Sequence, residues 1–203
     1  MSGKRSRDPH AFEYELEGPL TDEQVRRAVD RFMHQIGARM AELRQMRGFT
    51  QKQICDEHDF NPSQVSRLEA GKMNMTLRTA CRYAAALGVR PWELYVPRDK
   101  SSLELSPREH TAPKPTDAQL DEAALQFRKQ LGTRVRELRS LQGLTPLAVS
   151  TLTGMDVGTF KRLESGGYNI RASTAIRLAD AIGVHPYELY IPREQSGIRL
   201  KGS

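Results

Sequence analysis

Apolar residues fall at Val25, Val29, Phe32, Ile36, Met40 and Leu43, a 4-3-4-4-3 spacing that puts all six on one helix face. Thr21 stands ahead of them with Gln24 three residues on, the pattern of a capping box. The two signals predict a helix over Thr21–Arg44, about 23 residues and about 35 Å long. The same stripe returns at Leu120, Ala124, Phe127, Leu131, Val135 and Leu138, behind Thr116.

The return is general. Sliding the chain by 95 residues aligns Thr21–Arg98 with Thr116–Arg193 without a gap, and 31 of 78 positions are identical. GVRPWELYVPR (Gly88–Arg98) comes back as GVHPYELYIPR (Gly183–Arg193). A fixed-period repeat of this length is a duplicated domain. Identity disappears in one place: Gln51–Ser66 shares no residue with Pro146–Lys161. A scaffold kept twice therefore carries one segment that was free to change.

That segment has its own local logic. Thr50 and Gln53 match a capping box, and Ile54 with the small Cys55 suits a short helix packed closely on another. Asn61 is a good N-cap, Pro62 fits the first helical position, and Gln64 is placed to complete a second capping box. Val65 and Leu68 face inward, while Ser63, Arg67 and Ala70 lie largely opposite. Gly71 follows where a helix-ending glycine is expected. Two short helices about five residues apart, the second with a polar outer face, read as a helix-turn-helix.

FTQKQICDEHDFNPSQVSRLEAGK (Phe49–Lys72) resembles the Cro/CI-type (XRE) helix-turn-helix family of DNA-binding proteins. The resemblance rests on Thr50-Gln51, Ser66-Arg67-Leu68-Glu69, Gly71-Lys72 and Ala86-Leu87-Gly88-Val89. It implies an all-α fold: two tandem lambda-repressor-like bundles of about five helices, each preceded by an extended N-terminal helix. The domains are expected at 21–98 (family core 35–98) and 116–193 (family core 130–193), with a tail over 1–20, a linker over 99–115 and a tail over 194–203. Arg44 with Glu69, and Arg139 with Glu164, fall where the family keeps a structural ion pair. Two positions depart from the pattern: His58 stands where a core leucine or valine is usual, and Asp59 replaces the turn glycine. Asp tolerates the left-handed conformation better than most residues.

The family places its recognition helix in the major groove. Carried over by position, the base-facing residues of the first repeat are Pro62, Ser63, Gln64 and Arg67. Arginine can donate to guanine O6 and N7, glutamine can pair with adenine, and proline offers an apolar face. Gln51, Asn61, Lys72 and Asn74 fall at phosphate-contacting positions, which fix register without reading sequence. In the second repeat Pro146 replaces the backbone-contacting Gln, Val157 and Gly158 take the main base-reading positions, and Gly167 replaces the Lys. Thr159 and Arg162 remain for base edges, and Lys161, Asn169 and Arg171 for phosphates. This head holds backbone, recognises a different half-site or packs as a module; DNA contact with weaker readout is the reading taken.

Met40 and Leu43, with Ile36, are expected to pack on their own domain. Val25, Val29 and Phe32 lie beyond the family core, so pairing is expected through 21–44 and 116–139, either within one chain as a pseudo-dimer or between chains as a homodimer. DKSSLELSPREHTAPKP (Asp99–Pro115) reads as a linker; extended, it reaches about 50 Å.

Composition adds modest constraints. A net charge of +6 and pI near 9.5 favour an acidic partner, nucleic acid before membrane. The longest apolar run, Tyr83–Val89, is too short to cross a bilayer. Cys55, Cys81 and five scattered histidines offer no metal spacing, so neither metal nor cofactor is expected. No catalytic constellation is legible, and the chain is not read as an enzyme. The sum is a bacterial cytoplasmic DNA-binding regulator, nucleoid-associated when bound. The alternative is an antitoxin- or antiactivator-like module that uses the same fold on a protein partner.

Overall fold

The computed structural model describes residues 20–107 and 114–196, and every regular element among them is helical. The first repeat folds as α1 (Asp22–Met46), α2 (Gln51–His58), α3 (Pro62–Glu69) and α4 (Leu77–Leu87). The second follows as α5 (Asp117–Leu141), α6 (Pro146–Thr153), α7 (Val157–Glu164) and α8 (Ala172–Ile182). Where a fifth helix is expected, each repeat has only a four-residue 3-10 turn, Pro91–Leu94 and Pro186–Leu189. Proline at its start and again at Pro97 or Pro192 leaves no room for a longer helix.

Both long helices begin as the pattern predicts. The Thr21 backbone N–H donates to Gln24 Oε1 at 2.8 Å while Gln24 N–H donates back to the threonine hydroxyl, and Thr116 with Gln119 repeats the arrangement. α1 crosses α3 at Gly37, and α5 crosses α7 at Gly132. A Cβ on Gly37 would lie 2.5 Å from the Glu69 carbonyl oxygen, and one on Gly132 2.4 Å from that of Leu163. Backbone approach this close admits only glycine.

The first halves of the long helices find their surface in the other repeat. α1 packs on α8, and α4 packs on α5, so each repeat lends its long helix to the other's fourth helix. Val25 and Phe32 on α1, and Leu120 and Phe127 on α5, are buried. Where the repeated GVxPxELYxPR segments meet, Tyr95 stacks on its counterpart Tyr190 with ring centroids 4.0 Å apart and planes 5° apart. Phe32 lies 6.0 Å from Tyr190 and Phe127 5.9 Å from Tyr95. This reciprocity defines a local two-fold relation, and the duplicated tyrosines sit on it. Tyr95→Leu keeps an apolar side chain and loses the stack; it is expected to lower stability by about 1 kcal/mol beyond the change in buried area, within a single cooperative transition. Chemical denaturation followed by circular dichroism measures both.

Part of the linker packs on the first repeat. Leu103 and Leu105 pack half-buried against the core, Arg39 donates to Ser101 Oγ at 2.7 Å, and Arg47 donates to the Ser106 carbonyl at 2.9 Å. Leu103 and Leu105, either side of Glu104, and the hydrogen bonds at Ser101 and Ser106 let 101–106 lie down on the first repeat. Leu20, assigned to the N-terminal tail, is buried, and its carbonyl accepts from Arg177. Ser196, assigned to the C-terminal tail, donates to Glu188 at 2.6 Å. Residues 1–19, 108–113 and 197–203 lie outside the described residues.

Candidate nucleic-acid interface

The head of the first repeat is α2, a turn and α3. Thr50 and Gln53 close the predicted capping box, and Ile54, Cys55 and His58 bury the inner face of α2. The turn residue Asp59 is left-handed, with φ 52, the one non-glycine with positive φ among the described residues; Gly154 holds φ 69 at the matching place. His58 is buried, its ring edge-on to Phe49 at 6.5 Å.

α3 starts differently from expectation. Asn61 Oδ1 accepts from the Ser63 N–H at 2.9 Å, and no reciprocal bond from Gln64 closes a box. The short asparagine side chain reaches the second helical N–H, not the third, which leaves Gln64 half-exposed. Val65 and Leu68 are buried, and Pro62, Ser63, Ser66 and Arg67 are exposed. The Arg67 side chain has no polar partner among the described residues. Lys72 and Asn74 are exposed just past the helix. Gln51, also exposed, donates to Glu69 Oε2 at 2.9 Å, which leaves one of its amide hydrogens and its oxygen available.

Behind this face lies a buried ion pair. Arg44 Nε and Nη2 reach Glu69 Oε1 and Oε2 at 2.7 and 2.9 Å, and Nη1 donates to the Phe49 carbonyl at 2.6 Å. Tyr83 donates its hydroxyl hydrogen to Glu69 Oε1 at 2.6 Å. Burial alone would raise the Glu69 carboxyl, yet the bonds from Arg44, Tyr83 and Gln51 outweigh it and hold it below its ordinary value. The pair ties α1, α3 and α4 together beneath the exposed arginine, so it sets where α3 points. Tyr83 gave no signal in the sequence because its repeat counterpart is Leu178.

The second head shares the frame and changes the face. Arg139 pairs with Glu164 at 2.6 Å and donates to the Leu144 carbonyl at 2.7 Å; Arg136 donates to the Glu164 carbonyl at 3.1 Å. Asp156 caps α7 by accepting from the Thr159 N–H at 2.9 Å. Gly158, Lys161 and Arg162 are exposed and Thr159 is half-exposed; Gly167, Asn169 and Arg171 are exposed beyond the helix. Pro146 opens α6 without a side-chain donor.

A second pair of buried ions escaped the sequence reading. Arg39 lies beside Glu93, and Arg134 beside Glu188 at 3.3 Å, joining each long helix to the 3-10 turn after the bundle. All four residues are repeated between the domains, a signal that was present and unused.

The sequence matches the family described as Helix-turn-helix domain over residues 35–94 and again over 130–189, together more than half of the chain. The chain belongs to this helix-turn-helix family. A curated relative, the uncharacterized HTH-type transcriptional regulator y4dJ of Sinorhizobium fredii, is 36% identical over 66 residues, 32% of this chain and 86% of the relative. Among solved structures, the restriction-modification controller protein C.AhdI from Aeromonas hydrophila is similar at 32% identity. That match covers 32% of this chain and 97% of the controller protein, with a TM-score of 0.31. No helix among the described residues of this helix-turn-helix protein is long and apolar enough to cross a membrane.

Proposed function

We propose that this helix-turn-helix protein is a sequence-specific double-stranded DNA-binding transcriptional regulator. Its first repeat reads the major groove through α3, and its second binds a neighbouring half-site or supports the first. The outer face of α3 carries the reading: Pro62, Ser63 and Arg67 are exposed together while Val65 and Leu68 anchor the opposite side. An arginine on a rigid helix with its fork uncommitted suits guanine O6 and N7. Lys72, Asn74 and the remaining donors of Gln51 and Asn61 support a phosphate grip around it. Similarity to an HTH-type transcriptional regulator points the same way.

Incubation with a random duplex library, recovery and sequencing of bound DNA tests the reading. Arg67→Ala is expected to weaken discrimination at one base position by about 1–3 kcal/mol, with the remaining binding still steeply salt-dependent. Absence of enrichment at moderate salt would count against it.

One observation favours a second use. Leu147 is 64% exposed, and Leu152 and Leu141 are 43% exposed, where the first repeat has Lys52, Glu57 and Met46. Exposed leucines on α6 and at the end of α5 suit a protein partner, as an antitoxin- or antiactivator-like regulator would need. Binding with a shallow salt slope would favour that role.

A further inference from the structure

The two heads are unlike, and the way the repeats pair keeps them together. On one side of the two-fold relation Arg177 of α8 bridges to Asp22 at 2.5 Å and donates to the Leu20 carbonyl at 3.3 Å, clamping the start of α1. Its counterpart Arg82 does not repeat this. Arg82 donates to the carbonyls of His58 and Asp59 in its own turn and lies 4.1 Å over the Phe60 ring. Arg78 takes over the clamp, reaching Asp117 at 2.5 Å and Asp121 at 2.7 Å at the start of α5.

Of these bridges the one between Arg78 and Asp121 is specific to a pair made of one first repeat and one second repeat, because Asp22 and Asp117 carry the same carboxylate in both. The counterpart of Asp121 is Arg26, and that of Arg78 is Ser173. Two first repeats paired in the same way would set Arg78 against Arg26, like charge on like. Two second repeats would leave Asp121 facing a serine. Each bridge is exposed and weak by itself, but the covalent tether adds an effective concentration on the order of millimolar for the partner within the chain. Attraction, repulsion and tether all favour the unlike pair.

We infer that the DNA this protein takes is a directional, non-palindromic site, bound by one chain. This rests on the DNA-reading function proposed above. The half under α3 is specified by Arg67, Ser63, Gln64 and Pro62. The adjoining half, about one helical turn or 34 Å away, is gripped through phosphates by Lys161 and Arg171. It carries at most a guanine preference from Arg162. The chemistry of the second face supports this: Gly158 has no side chain, Thr159 is half-covered and Asp156 places a carboxylate near the backbone. Homodimeric readers see the same half-site twice and so prefer palindromes. Here the dyad has been kept in the protein and removed from the reading surface.

The test uses the full chain, the best duplex from the random-library selection and three derivatives, with native mass spectrometry for stoichiometry. Scrambling the weaker half is expected to change affinity less than about tenfold, within the range of a single base contact. Shortening the duplex to remove that half is expected to weaken binding more than scrambling does, because its phosphates are lost. Duplicating the specified half into a palindrome is expected to gain only about twofold, the statistical factor for two orientations, with one chain still bound. Lys161→Ala combined with Arg171→Ala is expected to lower affinity for the selected and scrambled duplexes by the same factor and to flatten the salt slope by about 2. A palindrome bound by two chains with a gain well above tenfold would overturn the inference and leave the DNA-reading function standing. So would loss of binding on scrambling the weaker half. A selection that enriches nothing would overturn both.

Discussion

Glu69→Ala is expected to lower the stability of the chain by about 3–5 kcal/mol, the range for removing one partner of a buried ion pair. The loss comes chiefly from what is left behind. Arg44, 9% exposed at its side chain, keeps its charge but loses both bonds to the carboxylate, and the Tyr83 hydroxyl and Gln51 amide lose their acceptor. The double variant Arg44→Met with Glu69→Leu removes both charges and is expected to be more stable than Glu69→Ala alone. Denaturant unfolding of the three proteins measures the difference; a Glu69→Ala effect under about 1 kcal/mol would contradict it.

The same pair predicts a pH dependence with a definite sign. The folded Glu69 carboxyl lies below its ordinary value. At mildly acidic pH the unfolded chain therefore binds more protons at this residue than the folded one. Its contribution is full above the ordinary carboxylate range, about 4.3, and is lost as pH falls through the folded value. Unfolding measured from neutral pH downward is expected to show a shallower acid loss in Glu69→Ala than in the wild type.

Gly37→Ala is the second large effect, and two terms of opposite sign decide it. Alanine in a helix interior gains up to about 1 kcal/mol in propensity. Against this, its Cβ would stand 2.5 Å from the Glu69 carbonyl oxygen, 2.7 Å from that of Leu68 and 2.8 Å from the Gly71 nitrogen. All three are backbone atoms, so no rotamer change relieves them, and α1 must move away from α3. Overpacking commonly costs about 1–3 kcal/mol, and a backbone collision belongs at or above the top of that range. A net loss of about 2–3 kcal/mol is expected. Gly132→Ala meets the Leu163 carbonyl oxygen at 2.4 Å and is expected to destabilise similarly. The two should part on DNA: Gly37→Ala shifts the C-terminal end of α3 and with it Arg67, so base preference suffers more in that variant. Equal loss of base preference in both would speak against α3 as the principal reader.

Much of this molecule is written in short-range chemistry. The caps at Thr21, Thr50 and Thr116 act within three residues, and the apolar stripes within four. The left-handed Asp59 ends α2 in the short turn before α3, a conformation aspartate tolerates better than most residues. The duplication itself is visible in the order of residues. Local reading also went astray where a local rule had competitors. Gln64 has the right spacing for a capping box, but an asparagine cap spends its bond on the nearer N–H. The 99–115 stretch has linker composition, and its Leu103 and Leu105 pack half-buried on the core, a contact that composition does not foretell.

The sequence by itself determined the helices, their ends, the repeat and which face of α3 is polar, because each depends on residues a few positions apart. Tertiary structure alone decided which surface would cover Val25 and Phe32, since a stripe says that it must be buried and nothing about by what. It also decided the fate of two identical arginines. Arg82 and Arg177 occupy the same place in the repeat, yet one closes on its own turn and the other clamps the opposite repeat. Their partners lie far away in the chain, and with Arg78 beside one and Ser173 beside the other, geometry and charge gave each a different best neighbour.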